Sequence, residues 1–344
     1  MENLNKKLFG ALFFSIILTS SVYGNSLEKP LGKPIGKVAK IEKKEVYQMG
    51  KYIERIYKIE NTYYMENQGN LLSSKDLESW KLEKGGAHVA GQKDKDTLLV
   101  EKESKLWKYS KEKGLEEICN LKEEISKPET SRYFFYGKNI GIYLKENKLF
   151  ITNDLKTWNE ILLKKEYNIY SGVYINGAFY LGGEEKVGET IKPLLLKSEN
   201  GKVWDRLETS MNKGIRDFYQ DKETIYILEK NGKISKTNDF KTFEKVSNPY
   251  IGDRSHNYEF LDIKKIKDKI VVAGMGQHWQ NKDSYEGNLC VAEDGELSLV
   301  LSEGDTIFKE VYYDEGKYIV LGGLDEYEIY KSVDFENWSI VLKK

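Results

Sequence analysis

From Val46 onward the chain consists of short apolar runs separated by polar turns, the pattern of β-strands and not of helices. The last stretch shows it most plainly. Glu310 to Asp314, Lys317 to Leu321, Glu328 to Ser332 and Trp338 to Leu342 read as four strands, with Glu315-Gly316 turning the first hairpin. The same order recurs at Ser171 to Ile175, Ala178 to Gly182, Leu194 to Ser198 and Trp204 to Leu207, with Asn176-Gly177 at the hairpin.

A short phrase marks the turn between the third and fourth strands: a hydroxyl residue, an acid or amide two residues later, and an aromatic four beyond that. It occurs as Ser74, Asp76 and Trp80; as Thr152, Asp154 and Trp158; as Ser198, Asn200 and Trp204; as Thr237, Asp239 and Phe243; and as Ser332, Asp334 and Trp338. The acid can accept hydrogen bonds from backbone N–H groups just ahead of it, with the hydroxyl as a brace. The aromatic offers a large body to bury between sheets. The phrase is therefore read as scaffolding.

Two wider gaps in the series each hold a decayed copy, around Glu112 and around Asp294, which makes seven units. Four strands repeated seven times predict an all-β fold, a seven-bladed β-propeller built from four-stranded antiparallel blades. The ring would close by packing unit 7 on unit 1, with Val38 to Val46 adding an outer strand. The phrase resembles the Asp-box, or BNR repeat, of sialidase-like propellers, although that motif usually has one more residue, commonly with a Gly, between its Asp and its Trp. The resemblance covers Val46 to Lys344 and implies the fold. Function does not travel with it, because enzymes and non-enzymes share the repeat.

Ahead of the repeats, Met1 to Gly24 reads as a secretory signal: Lys6 and Lys7, an apolar run from Leu8 to Leu18, then small residues to a cleavage site after Gly24. No Cys follows that site, so a lipid anchor is not expected, and no later apolar run is long enough to span a bilayer. Residues 25–45, rich in Lys, Pro and Gly, read as a linker. The expectation is an exported protein, periplasmic or secreted, and monomeric. Cys119 and Cys290 fall in units 2 and 6, too far apart to pair, and are expected as buried free thiols.

A net charge of -1 leaves no basic field for nucleic acid. Only five of the 54 basic residues are arginines, so their places are informative. Aligning the units on their first hairpin puts Arg55, His88, Arg132, Ser171, Arg216, Asp262 and Glu310 at one position, the start of the innermost strand. Converging guanidinium groups recognise a carboxylate or phosphate bidentately, the logic of the sialidase arginine triad. Channel-facing strand starts are also wet, and polar residues belong there whatever the function.

Two stretches of unit 6, Asn248 to Asn257 and Gly274 to Gly287, read as long loops on the same face. They carry Asp253, Arg254, His256, His278, Trp279, Asp283, Tyr285 and Glu286. No tight ligand spacing supports a metal, and no cofactor motif is present; Gly274-Met275-Gly276 lacks the rest of a dinucleotide fingerprint. Arg55-Ile56-Tyr57 lacks the Pro of a sialidase Arg-Ile-Pro element, and nothing singles out a nucleophile among 24 Tyr. The expected function is a non-enzymatic module that binds a protein or glycan partner. The alternative is a sialidase-like glycoside hydrolase with the arginines holding an acidic sugar.

Overall fold

Leu98-Leu99-Val100, Leu194-Leu195-Leu196, Val271-Val272-Ala273 and Ile319-Val320-Leu321 are apolar at consecutive positions, and every one of these side chains is buried. Successive strand residues point to opposite faces, so a continuous apolar run requires cover on both sides. A ring of sheets stacked face to face provides it.

The computed structural model describes residues 40–43, 55–67, 69–121, 132–145, 148–252, 255–281, 283–324 and 328–343. The signal segment 1–24 and most of the linker 25–45 lie outside the described residues. The strands form seven antiparallel sheets in sequence order: blade 1 (56–85), blade 2 (88–120), blade 3 (132–162), blade 4 (167–206), blade 5 (215–247), blade 6 (256–304) and blade 7 (308–343). Within the stretch read as linker, Lys40–Lys43 pairs in parallel with the outermost strand of blade 7, Asn337–Lys343.

The buried side chains fall into seven clusters, and each spans one seam between neighbouring blades. Alternate residues of one strand serve different seams. Tyr318 and Val320 pack toward blade 6, whereas Ile319 and Leu321 pack toward blade 1.

The turn phrase folds the same way five times. One oxygen of Asp76, Asp154, Asn200, Asp239 or Asp334 accepts two backbone N–H groups, at 2.7 to 3.1 Å. That donation holds the carboxyls of Asp154, Asp239 and Asp334 below the ordinary range. The residue after the acid is left-handed in every copy, with φ of 57 to 73° at Leu77, Leu155, Gly201, Phe240 and Phe335. Only Gly201 adopts this without steric strain. Leu77, Phe240 and Phe335 are held by the hydroxyl brace, which accepts their N–H at 2.9 to 3.1 Å, and Leu77 and Phe240 also by burial of their side chains.

The closing indole then donates to the carbonyl of that same residue in Trp80, Trp204 and Trp338, at 2.9 to 3.1 Å. Blade 3 differs. There Cys119 Sγ of blade 2 donates to the Leu155 carbonyl at 3.2 Å, and Trp158 Nε1 is buried without a hydrogen-bond partner among the described residues. Cys290 is fully buried, but Cys119 is only half-buried, contrary to the expectation of two buried thiols; both are free. The decayed copies do not form the turn. Blade 2 reverses by a short hairpin from Ser110 to Gly114, and blade 6 by a two-residue turn at Asp294-Gly295.

Trp338, 1% exposed, lies in the seam between blades 6 and 7. Trp338→Ala should cost about 3 to 5 kcal/mol. Trp80→Ala, at a half-buried copy, should cost clearly less, as urea unfolding of the two variants will show.

Candidate functional site

The innermost strands do not run evenly. In blades 4, 5, 6 and 7 the pairing with the second strand slips by one residue, between Ile169 and Ser171, Ile215 and Asp217, Phe260 and Asp262, and Phe308 and Glu310. Each slip is a β-bulge, which bends the strand and re-aims a side chain. The residue after the bulge faces the fifth residue of the second strand in all four blades: Ser171 with Gly182, Asp217 with Leu228, Asp262 with Ala273 and Glu310 with Leu321.

By this register His88, opposite Glu101, and Tyr133, opposite Leu144, hold the same place in blades 2 and 3. The hairpin alignment of the sequence therefore misplaces two arginines by one residue. Asp217, not Arg216, occupies the position in blade 5, and Tyr133, not Arg132, in blade 3. The side chain of Arg132 lies outside the described residues. Arg55 stands just ahead of the innermost strand Ile56–Ile59 of blade 1.

These strand starts surround a channel of about 770 Å³. Arg55, Ser171, Arg216, Asp262 and Glu310 line it; His88 does not. The His88 ring instead meets Glu66 at 2.6 Å, while the other Glu66 oxygen accepts the Val89 N–H at 2.9 Å, which pins the seam between blades 1 and 2.

The channel wall has two halves. Blades 3 and 4 present Phe134, Phe135, Tyr136, Tyr170 and Tyr174. Gly172 permits this crowding, since a Cβ there would stand 2.6 Å from the Phe135 ring. Blades 5, 6, 7 and 1, with Ser171 of blade 4, present a chain of polar contacts. Ser171 Oγ donates to Asp217 at 2.8 Å, Lys264 donates to Asp262 at 2.5 Å, Asp262 Oδ2 accepts the Val311 N–H of blade 7 at 2.9 Å, and Arg55 Nε meets Glu310 Oε1 at 3.2 Å. The other Glu310 oxygen is buried with no partner among the described residues.

Burial sets the protonation here. It pushes Glu310 up to about 8, and the nearby Asp262 and Asp217 add to the rise; Arg55 and Lys264 pull down but do not offset it. Asp217 is pushed up to about 6 by burial, against the pull of Lys264. For Lys264 burial acts downward, and the three carboxylates outweigh it, so its ammonium is held above the ordinary lysine range.

Arg216 is occupied elsewhere. Its guanidinium lies 4.7 Å from the Tyr170 ring centre and 3.4 Å from Glu259, while Tyr170 donates to Glu184 at 2.5 Å. Arg55 and Arg216 are thus each held by a carboxylate of their own on different blades. The sequence pointed to neither Asp217 nor Lys264, nor to the aromatic half; the bulges that bring Asp217 into place leave no mark in residue spacing.

Of the two unit 6 stretches, Asn248 to Gly252 is loop as expected and only His256 and Asn257 of the first are strand, whereas Gly274 to Gly287 is mostly strand. His256–Ile266 and Lys269–His278 form one long hairpin, and Tyr285–Glu293 continues it, leaving a short loop that holds Trp279, 55% exposed. His278 Nδ1 accepts the N–H groups of Gln280 and Asn281 at 3.3 and 3.1 Å, capping that loop. His256 lies 5.2 Å from His278, ring to ring, with its Nδ1 2.9 Å from Ser255 Oγ. Arg254 and Asp253 lie outside the described residues. Among the described residues no group of three or more His, Cys, Asp or Glu is placed to hold a metal.

Neither a protein-family model nor a curated protein sequence matches the chain. Solved structures do. Ycf48 from Cyanidioschyzon merolae gives a TM-score of 0.54 at 12% identity over 80% of this chain and 94% of that one. Ycf48 bound to D1 peptide gives 0.54 at 10%, over 86% and 96%. KlAtg21 in complex with the coiled coil of AgAtg16 gives 0.52 at 10%, over 85% and 98%. The likeness is one of fold, that of an all-β propeller.

Because the folded chain holds a proton on Glu310 that the unfolded chain releases near pH 4.5, stability should fall as pH rises from about 4.5 through about 8. Glu310→Gln removes that penalty. The variant should match the parent at pH 5 and exceed it at pH 8.5 by on the order of 2 to 4 kcal/mol, less than full linkage because the open channel screens the charge. Denaturant titrations at the two pH values measure both points.

Proposed function

We propose that this chain is an exported, non-enzymatic propeller of the Asp-box type that holds a segment of a partner protein at the mouth of its channel. The observation that carries this reading is the channel wall itself, with aromatic rings on one side and a carboxylate-rich arc on the other. Such a cavity falls in the range of ligand sites and offers both apolar contact and orienting polar groups. Arg55 and Arg216 are engaged by Glu310 and Glu259, so an acidic sugar would find no uncommitted pair of guanidinium groups there. Among fold neighbours, the structures of Ycf48 bound to D1 peptide and KlAtg21 bound to a coiled coil are consistent with peptide capture. Export follows from the signal pattern of residues 1–24.

Mass spectrometry of the exported protein should find Asn25 at its N-terminus. In thermal unfolding, millimolar sialic acid should leave the transition unmoved, and fluorogenic sialosides should not be hydrolysed. A ligand at about 100 times its Kd adds about 2.7 kcal/mol. A shift of that size with sialic acid, lost in an Arg55→Ala, Arg216→Ala double variant, would return the site to the acidic-sugar reading.

A further inference from the structure

Glu310 presents one satisfied and one unsatisfied oxygen to the channel. Oε1 has Arg55, whereas Oε2 is buried and has no partner among the described residues. A buried acceptor without a donor is unfavourable, and the group that would satisfy it must come down the channel. The charges facing Glu310 say what kind of group. They are Arg55 from blade 1, Asp262 and Lys264 from blade 6, and Asp217 from blade 5. With Glu310 ionised, carboxylates exceed cations by one, a difference that either a proton on Glu310 or an entering cation makes up. Other cations along the channel do not fill the deficit: Arg216 is committed to Glu259 and the Tyr170 ring, and Lys309 has an interaction of its own.

The opposite wall adds a second, independent demand. Phe134 and Tyr174 line the same channel, and aromatic faces attract both an alkyl stem and the cation it carries. An anionic or plain aliphatic group would satisfy one wall at most.

We propose that the channel mouth is a receptor for one cationic side chain, a lysine or arginine of the partner, which donates to Glu310 Oε2 and lays its stem along the aromatic arc of blades 3 and 4. This rests on the binding reading above and specifies its ligand. Entry of the cation expels the proton that burial keeps on Glu310 near neutrality. Affinity therefore rises with pH between 6.5 and 8.5, by up to about tenfold per unit, and binding at pH 7 releases a proton. Arg55 and Lys264 stay charged across that window, and Asp217, pushed up to about 6, is largely ionised within it.

The test is calorimetry of the exported chain with capped Gly-Gly-Lys-Gly-Gly and its Arg, Glu and Leu counterparts, in two buffers of different ionisation enthalpy. The Lys and Arg peptides should bind with proton release, the Leu peptide at least tenfold more weakly and the Glu peptide not measurably. Glu310→Gln should weaken Lys binding at least tenfold and remove the proton release, with a melting transition confirming that the variant is folded. Equal binding of the Lys, Leu and Glu peptides would overturn the cationic assignment and leave the binding reading standing. Binding of none at about 10 mM would overturn both, and Lys binding unchanged in Glu310→Gln would overturn the placement at Glu310.

Discussion

Everything in this molecule depends on the need to cover both faces of each sheet. No blade owns a core; each of the seven clusters belongs to two blades at once. A sheet with consecutive apolar residues such as Leu98-Leu99-Val100 has no stable existence alone, and only a closed ring leaves none uncovered. The acid-centred turns serve that end. By forcing Leu77, Phe240 and Phe335 into a left-handed conformation they set those side chains against the seam and bring the indole or phenyl ring in behind.

The same stacking confines the innermost strands to a narrow space, and in blades 4 to 7 a bulge falls at the same point near their starts. A regular strand would present its polar start along the channel axis; a bulged one turns the next residue toward the adjacent blade. Ser171 reaches Asp217, Asp262 reaches the Val311 backbone, and Glu310 meets Arg55, so the polar arc is a set of hand-offs from each blade to the next. Scaffold and channel chemistry are therefore one arrangement. The groups that line the cavity are also the ones that hold the seams at their inner ends.

The fold was largely legible in the sequence because its rules are local. Asn176-Gly177 and Glu315-Gly316 turn where left-handed residues are needed, and an Asp or Asn two residues after a hydroxyl with an aromatic four beyond makes the same turn in all five copies. The site was less so. A bulge adds one residue without changing composition, so counting back from the hairpin selects Arg216 when the register presents Asp217. Blade 4 is longer than its pattern suggested for a related reason. Gly183 and Pro193 read as loop residues, yet Gly183 is where a Cβ would collide with the Asn168 carbonyl, and Pro193 sits at an edge whose outer partner strand is only Asp205–Arg206.

The parallel strand Lys40–Lys43, bound to Asn337–Lys343, gives the ring an order in time as well as a shape. Hairpins form from neighbours in sequence and can appear as soon as their residues emerge. This clasp joins the two most distant described segments of the chain, and the seam between blades 7 and 1 joins residues almost as far apart. Loop closure on that scale is slow relative to local pairing. Six seams can assemble on a growing chain while the seventh waits for its last strand. Until then, Ile56, Met65 and Leu77 form an apolar face with nothing against it. The interval between the first blade and the last is thus the period in which that apolar face is open to contact with other chains.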